Sequence, residues 1–187
     1  MKSVAASAVI AVLILAPAIA SAHEHQRYEI GHQVYEFTVG SLNEPLVVDD
    51  KSGVYFRVTM AGHENMVAND HHAEGGAVTG LEETLQVELI AGSKKQVLDL
   101  APVYGAPGSY NAPFYPTVAT TLSYRVFGEI DNTPVDLTFT CNPAGHAVAE
   151  DDTTEVAVSN GVTRMLKSGS FGCPVEKEAM GFPEPSA

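Results

Sequence analysis

The sequence predicts an all-β fold on three observations. Apolar and polar residues alternate in run after run, turn-forming residues separate the runs, and helical periodicity is scarce. Tyr35, Phe37 and Val39 alternate with Glu36 and Thr38. Val54, Phe56, Val58 and Met60 alternate with Tyr55, Arg57 and Thr59, which places Met60 in the inward-facing series. Leu85, Val87 and Leu89 follow the same rule, then Leu122, Tyr124 and Val126, then Val135, Leu137 and Phe139. Each run has the two-residue period of a strand with one buried face. Between them stand Asn43-Glu44-Pro45, Asp49 to Gly53, Ala91-Gly92-Ser93, Gly105 to Gly108, and Asp131-Asn132. About seven short strands at this spacing predict an antiparallel sandwich of immunoglobulin-like type, with a barrel as the alternative.

The ends of the chain frame this domain. Lys2 is followed by an almost unbroken apolar run from Val4 to Ile19, and Ala20-Ser21-Ala22 supplies small residues where a signal peptidase reads. Residues 1–22 are therefore expected to be a signal peptide, the mature chain to begin at His23, and the protein to be periplasmic or secreted. The apolar run is short for a membrane span and no later one is longer, so no span is expected after processing. Cys141 and Cys173 are the only cysteines, and an oxidising compartment favours a disulfide between them. The sandwich is expected over 23–141, with 142–187 as an irregular extension tied on by that disulfide and frayed from Pro183. The full chain carries a net charge of −13, and loss of Lys2 with the leader makes it −14. Such acidity argues against nucleic acid and anionic membranes as partners.

Two stretches carry metal-ligating side chains. The first is His23-Glu24-His25. A terminal amine, two backbone amides and the imidazole of His25 can wrap a square-planar Cu(II) or Ni(II) ion. Alternatively, His23 can chelate through its own amine and imidazole, as a brace. Both modes require cleavage after Ala22. The second is a polar stretch between strands holding His63, Met66, His71 and His72, and imidazole with thioether suits copper in both oxidation states. His32 stands in strand register with Tyr28 and Ile30, and His146 lies just past Cys141; both read as ordinary surface residues. No Cys pair or H-E-x-x-H motif points to zinc, and no G-x-S-x-G elbow or phosphate-cradling loop points to an enzyme.

Some segments also resemble known proteins. Tyr35-Glu36-Phe37-Thr38-Val39-Gly40 with Leu42-Asn43-Glu44-Pro45, then Leu81 to Glu88, resemble small exported immunoglobulin-like proteins of YtkA-like and CopC-like type. Gly108, Tyr110, Ala112, Phe114, Pro116 and Thr117 are similar to their G-x-Y-x-A-x-F-x-P-T signature. The resemblance covers residues 33–141. It implies the sandwich fold and, from the CopC-like side, a copper site opened by the first mature histidine, carried over here at His23 alone. The sequence thus leads to an exported, non-enzymatic metal-binding protein, expected to be a copper carrier or buffer. The competing expectation is a non-catalytic interaction module of the cell envelope, with an envelope protein as partner.

Overall fold

The computed structural model describes residues 23–61, 76–145 and 151–181. Among the described residues eleven strands occur in chain order: β1 (Glu24–Ile30), β2 (Gln33–Ser41), β3 (Ser52–Met60), β4 (Leu85–Ala91), β5 (Lys94–Leu98), β6 (Ala101–Pro102), β7 (Ser109–Phe114), β8 (Leu122–Ile130), β9 (Thr133–Thr140), β10 (Val156–Ser159) and β11 (Val162–Gly169). They form two antiparallel sheets, a seven-stranded one in the order β10-β11-β1-β2-β3-β7-β6 and a four-stranded one in the order β5-β4-β8-β9. Short 3-10 turns at Leu81–Glu83 and Lys177–Met180 complete the described elements. The predicted all-β sandwich is the fold.

The alternation read from the sequence is the alternation of burial. Phe37, Val39, Val54, Phe56, Val58, Val87, Tyr124, Val126 and Phe139 are all fully enclosed. Aromatic rings tie the core together: Phe37 stacks across the layer on Phe139 with centroids 6.3 Å apart, Phe56 stacks on its β7 neighbour Tyr110 at 5.1 Å, and Tyr124 stacks at 5.0 Å on Phe171 from the chain after β11. Buried phenols need partners. Tyr110 donates to the Val78 carbonyl and accepts from the Leu81 amide, and the Tyr124 hydroxyl bonds Ser41 Oγ at 2.8 Å.

Turn chemistry sets the registers. Asp131 and Asn132 join β8 to β9 with φ of 47° and 60°, the paired left-handed conformation of the two-residue hairpin that matches strand twist. Gly128 sits at φ 140°, and a Cβ there would lie 2.1 Å from the Thr84 carbonyl oxygen, so the close approach of Thr84 to β8 demands glycine.

The structure departs from the sequence reading in three places. Met60 closes β3 and pairs with Tyr35, yet it is 40% exposed, because the strand runs past the end of the core. His32 lies exposed in the β1–β2 turn and is not part of either strand. The chain after Cys141 is tied by the expected disulfide, with a Cα–Cα distance of 4.9 Å, but part of it is regular. Residues 156–169 form the β10–β11 hairpin, and β11 pairs along the whole of β1. The pattern of β11 was hidden because Arg164 and Lys167 take inward positions, opposite Tyr28 and Gln26, and β10 is four residues long and exposed throughout.

Candidate functional site

β1 is an interior strand, flanked by β11 on one side and β2 on the other. Glu24 pairs with Gly169 and Val39, and His25 pairs with Ser168 and Thr38. In a strand with two antiparallel neighbours the N–H groups alternate between the two ladders, so successive amides are committed to hydrogen bonds. Side chains alternate too. Glu24, Gln26, Tyr28 and Ile30 face the core, and His25, Arg27 and Glu29 face outward.

The outward face carries the histidines. The His23 ring meets the Tyr55 ring edge-on at 5.5 Å, which sets it on the same outer face as His25. Strand geometry separates the two histidine Cα atoms by about 7 Å. His25 Nδ1 lies 3.3 Å from Thr38 Oγ1 and 3.6 Å from Glu36 Oε1. Arg27 Nε donates to the other oxygen of Glu36 at 2.8 Å. Burial alone raises the Glu36 carboxyl, but hydrogen bonds from His25 and Arg27 outweigh it and hold the group below the usual carboxylate range.

The inward face is a buried polar network. Glu24 accepts from Gln26 Nε2, Gln26 accepts from the Tyr28 hydroxyl, and Lys167 Nζ stands 3.1 Å from Glu24 Oε1. Across the same edge Arg164 donates to Asp152 at 3.1 Å. Lys167 and Arg164 are three residues apart, a spacing that puts side chains on opposite faces of a regular strand. The register of β1 against β11 shifts between Arg27 and Tyr28, and this bulge places Lys167 opposite Gln26 and Arg164 opposite Tyr28, so both cations border the inward network. Burial first, then the Glu24 charge, pushes the Tyr28 phenol up, and Arg164 opposes them.

Of the histidine and methionine ligands expected from sequence, His23 and His25 come together. His63, Met66, His71 and His72 lie outside the described residues, as do residues 1–22 and His146. The ends of the intervening stretch are placed: the Ala61 amide bonds the Val34 carbonyl and the Met60 amide bonds the Gly76 carbonyl. Val34 pairs with Glu29, so those ends lie about 20 Å along the sheet from His23. Sequence reasoning missed Glu36 and Tyr55 as neighbours of the histidines. The outward period of β2 and β3 marks both, but only the pairing register joins them to β1. Among the described residues, no group of three or more His, Cys, Asp or Glu side chains is arranged to hold a metal ion, and no helix is long and apolar enough to cross a membrane.

No family model, curated protein or solved structure matches this chain. The chemistry of the outer face of β1 therefore has to carry the functional argument.

Proposed function

We propose that this is an exported metal-binding protein, a periplasmic copper carrier or buffer, whose site is opened by removal of residues 1–22. What carries the reading is that His23 and His25 share the outer face of β1 while the backbone beneath them is locked in two ladders. Of the two terminal modes, amide wrapping would pull Glu24 and His25 out of the sheet. A brace of the His23 amine and imidazole, completed by the His25 imidazole, leaves the sheet intact. Three nitrogen donors suit Cu(II). Coordination through His25 Nε2 keeps the Nδ1 contacts with Thr38 and Glu36, and a carboxylate behind a ligating imidazole fixes its orientation and raises its basicity. The proposed kinship with CopC-like proteins rests on the same residue, His23.

The test is Cu(II) titration of the chain beginning at His23 against the same chain extended by Gly-Ser. One equivalent should bind the first, and the extension should weaken it at least a hundredfold. His25→Ala should weaken it at least tenfold. Affinity should also fall in acid, because metal binding must displace protons from the nitrogen donors. Equal affinity in both chains would move the site away from His23, and no binding in either would end the copper reading.

One observation favours the second reading, an interaction module of the envelope. Tyr104 is fully exposed on a turn closed by the Val103 amide on the Ser109 carbonyl at 2.9 Å and the Ala106 amide on the Val103 carbonyl at 3.1 Å. An aromatic held out on a rigid turn binds at low entropic cost. Crosslinking in intact cells that disappears with Tyr104→Ala would support this reading.

A further inference from the structure

The four-stranded sheet ends in β5, and the inner face of that edge is only partly covered. Opposite it the seven-stranded sheet continues beyond β7 only as the two-residue β6. The gap is bordered by the segment crossing from β7 to β8, leaving a groove of about 300 Å³. That volume is at the small end of ligand pockets.

Its lining is divided by chemistry. Leu89, Ala91, Phe114 and Leu122 form an apolar floor, and the exposed Tyr115 and Val118 form one lip. On β5, Lys94 lies opposite Ala91 and Gln96 opposite Leu89, so both polar side chains take inward positions and line the groove. Thr117 and Thr120 add hydroxyls, and Lys95 stands at the margin. No carboxylate lines the groove, in a chain with 23 acidic residues against 10 basic ones. Lys95 is held by Glu88 at 3.5 Å, whereas the Lys94 ammonium makes no ion pair or side-chain hydrogen bond among the described residues.

We propose that this groove binds a small amphiphilic anion, an apolar or aromatic body carrying a single carboxylate. The body lies on Leu89, Phe114 and Leu122, and the carboxylate meets the Lys94 ammonium with support from the groove's amide and hydroxyl donors. The charge pattern selects the ligand: a neutral apolar molecule gains nothing from Lys94, and a multiply charged anion is repelled by the acidic remainder of the protein. The competing account of Lys94 is protection of an exposed sheet edge, for which an inward-pointing lysine is a known device.

The experiment is an amide-resolved NMR titration of the full protein with 3-phenylpropionate and, separately, with neutral 3-phenylpropionamide. The expected result is saturable shifts confined to Lys94, Gln96, Thr117, Val118 and Leu122, with the amide at least tenfold weaker. Lys94→Gln should weaken the carboxylate at least fivefold, and Ala91→Leu, which fills the floor and keeps the charge, should abolish binding. Equal binding of the two probes, shifts scattered over the surface, or no saturable shift would each overturn the proposal. Aggregation of Lys94→Gln without carboxylate binding by the parent protein would assign the lysine to edge protection instead.

Discussion

The two halves of the seven-stranded sheet solve the same problem differently. Beneath β2, β3 and β7 the inner face is aromatic and aliphatic, with Phe37 stacked on Phe139 of the four-stranded sheet and Phe56 and Tyr110 stacked on each other in the same buried core. Where β1 meets β11, the inner positions at one end hold Glu24, Gln26, Lys167 and Arg164, with Glu24 only 1% exposed, and only at the other end do Tyr28, Ile30 and Val162 rejoin the core. The small sheet has four strands against seven, so it cannot back the whole of the large one. Where a second sheet closes the layer, apolar area is removed from water and supplies the driving force. Where the inner positions are polar, they are satisfied by one another. The apolar half should carry the stability, and the polar end should fix how β11 meets β1.

That contrast can be broken by substitution, and the largest effect belongs to the apolar half. Phe56→Ala should cost about 3–5 kcal/mol by urea denaturation, since a fully enclosed ring is deleted from a closed layer. A loss under about 1 kcal/mol would mean that the apolar half is not the source of stability. Next comes the tether. Replacing Cys141 and Cys173 together by Ser removes a link between residues 32 apart and should cost about 3 kcal/mol. Amide exchange should quicken first in β11 and β1, and uniform quickening would show that the extension is not a separate unit.

Smaller still is the polar half itself. Glu24→Gln removes the buried charge facing Lys167, and because Lys167 is 41% exposed, water screens the pair, so the cost should be about 1–2 kcal/mol. A cost matching that of Phe56→Ala would erase the distinction drawn here. The smallest effect appears only in acid. Glu36 is held below the usual carboxylate range, so its contribution is complete above the unfolded-state pKa near ~4.3 and is lost as pH falls through the lower folded-state value. Glu36→Gln should flatten that limb of the stability profile, and an unchanged limb would show that the contact with Arg27 and His25 does not persist in solution.

Legibility from sequence followed the same divide. β2 and β3, like β4, β8 and β9 of the small sheet, alternate apolar with polar and were marked by that period, whereas β7 entered only through the resemblance carried by Gly108 to Thr117. β11 escaped because Arg164 and Lys167 occupy inward positions, where the pattern expects apolar residues, and β1 was legible only at its Tyr28 and Ile30 end because Glu24 and Gln26 do the same. The candidate site was legible as residue types: His23 and His25 stand out as ligands in any reading. Their neighbours were not, since Glu36 reaches His25 through pairing between β1 and β2, and Tyr55 reaches His23 from two strands away.

By itself the sequence determined the all-β class, the turn positions, the disulfide and the pair of histidines, because period, turn preference and cysteine count are local properties of the chain. Only the tertiary structure decided that β1 is an interior strand, that the chain after Cys141 supplies its second neighbour, and that the histidines project from a backbone held on both sides. Those facts depend on which segments pair across more than a hundred residues, and no local pattern encodes that choice.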